Sequence, residues 1–130
     1  MELKARIVRA SDFIIATPDG VLNLEESKNL LKNITDTSEG HGDFHILVDF
    51  RKTDIKLSTV EIWEICKELS KYGETFKRKI AIVVREDGNF EKMQFFELCA
   101  INRGFKINPF TDFEEAIMWL LPKNSANKVG

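Results

Sequence analysis

The side chains able to do chemistry gather at a few points of the chain. The run Phe44-His45-Ile46-Leu47-Val48-Asp49-Phe50-Arg51 ends an apolar segment in an acid and a base, and Ser58 and Thr59 follow a polar loop. Arg85 and Asp87 follow the apolar run Ile80-Ala81-Ile82-Val83-Val84, and Thr111 follows Phe110. An arginine fork suits a phosphate or a carboxylate. The free N–H groups at a helix start add donors and a partial positive charge. Asp49, Arg51, Ser58, Thr59, Arg85 and Thr111 are therefore the candidates for a partner-binding or anion-binding site. Each has a plainer reading beside it. Arg51 and Arg85 can pair with Asp49, Asp54 or Glu86 as structural ion pairs. Ser58 can be a helix N-cap, a role worth about 0.5–2 kcal/mol.

Other chemistries find less support. His41, Asp43 and His45 alternate in Gly40-His41-Gly42-Asp43-Phe44-His45 and would share one side of an extended strand. No further ligand cluster completes a tetrahedral set, so no metal is predicted. Cys66 and Cys99 have no CxxC spacing and no nearby His in sequence, and a reactive thiol needs thiolate stabilisation. They read as small buried hydrophobes. No catalytic constellation and no cofactor motif is present, and the expected protein is non-enzymatic.

Composition narrows the classes. The chain has 130 residues, 43% of them hydrophobic and 31% charged, which describes an ordinary soluble domain. Its net charge of −2 argues against a general nucleic-acid binder. No apolar run approaches the roughly 18 residues of a membrane span. The start Met1-Glu2-Leu3-Lys4 shows no signal peptide. A cytoplasmic protein is expected.

The elements that must position the candidates follow from periodicity. Leu3, Ala5 and Ile7 alternate with Lys4, Arg6 and Val8 as a first strand, and Phe13–Ala16 is a second, close enough for an antiparallel hairpin. Pro18-Asp19-Gly20 should stop that strand. Asn23 and Glu26 form a capping box for a helix to about residue 35, and 35–43 reads as a loop. Phe44–Phe50 is a strand buried on both faces, the kind found in parallel sheets. Ser58 and Glu61 form a second capping box, followed by Ile62, Ile65, Cys66, Leu69 and Phe76 at helical spacing. Ile80–Val84 is another central strand. Asn89 caps a third helix with Phe90, Met93, Phe96, Leu98 and Cys99 for the core, and Gly104 suits a left-handed C-cap. Phe105–Ile107 is a short strand. Thr111 and Glu114 form a third capping box, with Ala116, Ile117, Leu120 and Leu121 facing inward. The order β-β-α-β-α-β-α-β-α predicts an α/β fold: a mixed, mostly parallel five-stranded sheet with four helices. Residues 1–122 form one domain and 123–130 a tail.

This order resembles the STAS fold of bacterial anti-sigma-factor antagonists, and more closely the STAS-like small proteins of unassigned role. The resemblance spans nearly the whole chain. It is carried by Asp19-Gly20-Val21-Leu22, Leu47-Val48-Asp49-Phe50-Arg51, Ala81-Ile82-Val83-Val84, Asn102-Arg103-Gly104-Phe105 and Phe110-Thr111-Asp112-Phe113-Glu114-Glu115-Ala116 with Trp119-Leu120. It implies a regulatory module with a protein partner. In those antagonists an Asp-Ser-Ser-Gly-like motif opens the helix after the third strand, and one of its serines is phosphorylated. Here Leu57-Ser58-Thr59-Val60 keeps two hydroxyls and lacks the acid and the glycine. The expectation is a binding module that engages a protein partner, or a second copy of itself, near the end of the third strand and the next helix. A small-anion, nucleotide or lipid-binding domain at the strand ends is the alternative.

Overall fold

The computed structural model describes residues 3–10, 12–39 and 44–121. His41, Asp43 and the tail expected at 123–130 lie outside them. Strands β1 (Lys4–Ala10) and β2 (Phe13–Leu22) form the antiparallel hairpin, with Ile7 opposite Ala16. Then follow α1 (Leu24–Ser38), β3 (His45–Asp49), a short β4 (Thr53–Ile55) and α2 (Thr59–Leu69). A 3-10 turn at Ser70–Tyr72 leads to β5 (Lys79–Val83), α3 (Gly88–Ile101), β6 (Lys106–Phe110) and α4 (Phe113–Leu120). The sheet order is β1-β2-β3-β5-β6, with β4 pairing only with β2. Every pairing except β1 with β2 is parallel. The mixed, mostly parallel sheet and its four helices match the expected fold, and β4 is an added sixth strand.

Strand side chains alternate between the two faces. Ile14, Ala16, Ile46, Val48, Ile80, Ile82 and Ile107 join α1, α2 and α3 in one large core. Leu47, Ala81 and Val83 face the other way and pack with Ala116 and Leu120 of α4. β3 and β5 are therefore apolar on both sides, as central parallel strands must be. Three helices cover one face, and the eight residues of α4 cover part of the other.

The departures from the sequence expectation have physical causes. β2 does not stop at Pro18. Its pairing with β3 ends at Ala16 and its pairing with β4 begins at Gly20, so Pro18 falls in the gap between them. The Pro18 carbonyl points into that gap, where Thr53 Oγ1 donates to it at 2.7 Å. A strand residue turns its N and its carbonyl to the same side, so the missing N–H is not missed. Gly20 sits where β2 changes partner, with φ of 127°, a conformation side-chain-bearing residues avoid.

α1 runs past residue 35 to Ser38, and the hydroxyls of Thr35, Thr37 and Ser38 donate to carbonyls of the helix itself instead of turning the chain out of it. Its Asn23 cap accepts from the Glu26 amide at 2.8 Å, but Glu26 does not return the bond; its carboxylate accepts from Leu3 N at 3.0 Å and ties β1 to the helix. α2 ends at Leu69, so Phe76 is buried from the following turn rather than from the helix. α3 is capped by Asp87, not Asn89, and Leu98 faces solvent. β6 extends beyond Ile107 to Phe110, and its Pro109 is acceptable because β6 is a sheet edge. Asp112, not Thr111, is the N-cap of α4, and it makes no side-chain cap bond. Leu121 lies beyond the helix and is exposed.

Because α4 is the one helix on its face among the described residues, its anchor should matter. Leu120 is 1% exposed. Leu120→Ala is expected to lower the unfolding free energy by about 2–5 kcal/mol in urea titrations.

Candidate functional site

Asp49 ends β3 and Arg51 follows after one residue, where the chain turns back through Thr53 N donating to Phe50 O at 3.0 Å. That turn lets the Arg51 fork close on Asp49, with Nε to Oδ1 at 2.9 Å and Nη2 to Oδ2 at 2.7 Å. The Arg51 amide also donates to Oδ1 at 3.0 Å. Burial works to raise the Asp49 carboxyl, but these bonds and the Arg51 charge overcome it and hold the group below its ordinary value. The Asp49 hydrogen bonds in turn raise Arg51. The guanidinium lies 5.3 Å from the Phe113 ring centre, on the α4 side of the sheet.

Arg85 turns elsewhere. Its Nε donates to Asp87 Oδ2 at 3.1 Å and its Nη1 to the Arg51 carbonyl at 2.7 Å. Nη2 reaches the Thr53 carbonyl at 3.4 Å. Asn89, buried in the first turn of α3, donates from Nδ2 to that same carbonyl at 3.3 Å. Lys92, one turn further on, donates to the Ile55 carbonyl at 2.6 Å. Arg85, Asn89 and Lys92 thus hold alternate carbonyls of the segment 51–55. Asp87 accepts from the Asn89 amide at 2.9 Å, and that bond, with Arg85, holds its carboxyl low. The arrangement is a latch that presses β4 against the end of β2. On β4's other side, Gly20 N donates to Lys52 O and Lys56 N to Leu22 O.

The latch delivers the chain to Ser58. Ser58 Oγ accepts from the Glu61 amide at 3.2 Å and Glu61 Oε1 accepts from the Ser58 amide at 2.9 Å, which is the reciprocal capping box expected. Ser58, Thr59 and Val60 are all exposed, and Trp63 stands one turn along, 47% exposed between Lys67 and Arg103. Thr111 is exposed beside the α4 cap. The structure therefore groups Asp49 with Arg51, and ties Arg85 to the Arg51 backbone rather than to its guanidinium. Ser58 and Thr59 form a separate tip. The latch role of Asn89 and Lys92 leaves no local sequence signal; only the carbonyls they reach, 36 and 37 residues away in sequence, reveal it.

Three further places complete the picture. Cys66 is buried, donates to Phe96 O at 3.7 Å, and has its thiol pushed up to about 12 by burial and by the neighbouring Cys99, so it is a core residue. An apolar cavity of about 60 Å³ lies among Leu30, Leu57, Ile62, Ile65, Met93 and Phe96, too small for a lipid tail. At the opposite pole, Lys77, Arg78 and Lys79 border an open recess with Phe44 and His45, but Arg78 lies against the Phe44 ring and carbonyl and Lys79 against Trp119.

No protein-family model matches the chain, and no curated protein matches it. Solved structures do. An uncharacterised protein of the DUF3478 family with a SpoIIAA-like fold, from Shewanella loihica, is 21% identical over 92% of this chain and 94% of its own, with a TM-score of 0.61. An anti-sigma factor antagonist from Mycobacterium paratuberculosis is 11% identical over the same shares, also with a TM-score of 0.61. The anti-sigma factor antagonist SpoIIAA in its unphosphorylated form is 11% identical over 89% of this chain and 96% of its own, with a TM-score of 0.54. The chain has the SpoIIAA-like, or STAS-like, fold, and the likeness is one of fold.

The Asp49–Arg51 pair should show in the acid limb of stability. A carboxyl held below its ordinary value of 3.8 contributes above that value and loses its contribution as pH falls through the folded value. Asp49→Asn is expected to cost about 1–3 kcal/mol at neutral pH in urea unfolding. That deficit should shrink as pH falls below 3.8 and through the lowered folded value, because the wild-type carboxyl then becomes protonated too.

Proposed function

We propose that this chain is a non-enzymatic regulatory module that engages a protein partner through the tip at the start of α2, beside the end of β3. The observation that carries this reading is the tip itself. Two hydroxyls, Ser58 and Thr59, and two apolar side chains, Val60 at 70% and Trp63 at 47% exposure, stand within about one and a half turns of a helix start. Exposed aromatic and aliphatic groups beside polar ones suit a protein interface. The fold is shared with anti-sigma factor antagonists, which supports a regulatory role. A phosphate on Ser58 would meet the positive end of α2, so it would change the charge of the tip without unfolding the helix.

The anion-binding alternative draws less support. Arg51 and Arg85 would be its forks, and both are already engaged by carboxylates and carbonyls of the chain. The lipid alternative would need far more room than the apolar cavity offers.

The test is a quantitative pull-down from a native lysate with wild type and three variants. Ser58→Glu and Trp63→Ala are expected to reduce the specific partner at least several-fold while the thermal unfolding curve stays cooperative. Ser58→Asp, which keeps an N-capping side chain, should act like Ser58→Glu. Partner recovery unchanged in all three would remove the proposal.

A further inference from the structure

Among the described residues, the sheet face that carries α4 is covered over only about half of its strands. α4 packs on β3, β5 and β6, centred on β5. Among the described residues, no helix is centred over the β1–β2 half of this face. The register of the hairpin fixes which side chains lie there: Val8 beside Ile15, Arg6 beside Thr17 and Lys4 beside Asp19, with Phe13 completing the row. Phe13 and Ile15 are half-buried and Val8 is 39% exposed. Towards the carboxyl end of β2 the surface turns basic. Lys4, Arg6 and Lys52 border a groove of about 340 Å³ with Thr17 and Asp19.

The outward side of α4 is the complement of this surface. Glu114, Glu115, Met118 and Leu121 recur at the spacing of one helical stripe, and all four are exposed, Met118 at 66%. The acids stand in the first turn and the apolar residues follow. Direction matches as well as content. α4 starts near Arg51, at the end of the sheet where Lys4, Arg6 and Lys52 lie, and it ends near Lys79, whose Nζ donates to Trp119 O. A second α4 laid parallel to the first would set its acids against the three bases. Its Met118 and Leu121 would then meet Val8, Phe13 and Ile15.

The spacing allows it. Strands repeat at about 4.8 Å, so β2 lies two strand positions, roughly 10 Å, from β5 in the order β2-β3-β5. Packed helices sit about 8–10 Å apart. A helix placed beside α4 therefore falls over β2.

We infer that the β1–β2 face receives α4 of a second copy of this chain, in a two-fold dimer whose axis runs parallel to the strands. Each protomer gives its α4 stripe to the other's open sheet half, so the contact is made twice and two sheets enclose one shared layer of two helices. The surface is separate from the Ser58 tip, on α2, which packs on the opposite face.

Charge reversal tests this directly, read by light scattering of the full chain after size exclusion and by sedimentation, at concentrations up to on the order of 100 µM. Wild type is expected to be a dimer. Glu114→Lys with Glu115→Lys, and separately Lys4→Glu with Arg6→Glu, should each give a folded monomer, because both copies of the contact become like-charged. Mixed in equal amounts, the two variants should dimerise again, since each reversed helix then faces a reversed sheet and each native helix a native one. Circular dichroism and a cooperative thermal transition establish that the variants fold. A monomeric wild type, a dimer indifferent to either reversal, or a mixture that stays monomeric would each overturn the inference.

Discussion

The segment after β3 depends on one polar contact set: Arg85, just before α3, and Asn89 and Lys92 in its first turns hold the carbonyls of Arg51, Thr53 and Ile55. A three-residue strand has few ladder bonds of its own and is marginal in isolation. Here it is gripped from one side by Arg85, Asn89 and Lys92, and from the other by the end of β2. Thr53 is fully buried between them, its hydroxyl given to Pro18 and its carbonyl shared by Arg85 and Asn89. Buried backbone groups must find partners, and this segment finds them in side chains that would otherwise look like free surface charge.

That constraint decides what the polar residues at the strand ends are for. Asp49 and Arg51 lock the turn out of β3, and Arg85 locks the segment beyond it. Their chemistry is absorbed by the fold. What remains free is the tip they hold in place, where the capping box uses the Ser58 oxygen and leaves the hydroxyl, Thr59, Val60 and Trp63 to solvent. A rigid support under an exposed helix start is a sound platform for recognition, because little order is lost on binding. The uneven helix layers have a similar logic. Three helices bury one face of the sheet, while among the described residues α4 covers the β3–β5–β6 part of the other.

Much of this was readable from the chain. The apolar runs 44–50 and 80–84, bounded by turn residues, gave two central strands, and Ser58 with Glu61 gave a capping box that the structure contains. The failures share a cause. Pro18 reads as a breaker unless one knows that it falls between two ladders. Thr53–Ile55 is too short to carry periodicity, and its strand character comes from its partner. Asn89 looks like a cap by type, yet Asp87 takes that role and Asn89 turns inward to Thr53. Side chains spent on distant carbonyls leave no local signal. For the same reason the sequence could propose Arg51 and Arg85 as ligand forks and equally as ion pairs, with nothing local to choose between them.

Arg85 and Asn89 are structural groups that hold the segment leading to Ser58. Hydrogen exchange of the double variant Arg85→Ala, Asn89→Ala against wild type tests that role most directly. The amides of Gly20 and Lys56, which bond Lys52 O and Leu22 O across the β2–β4 seam, are expected to lose protection, while those of β5 and the last turn of α2 keep theirs. Unchanged protection at Gly20 and Lys56 in a folded double variant would contradict it, and would return both side chains to the pool of candidate ligand groups.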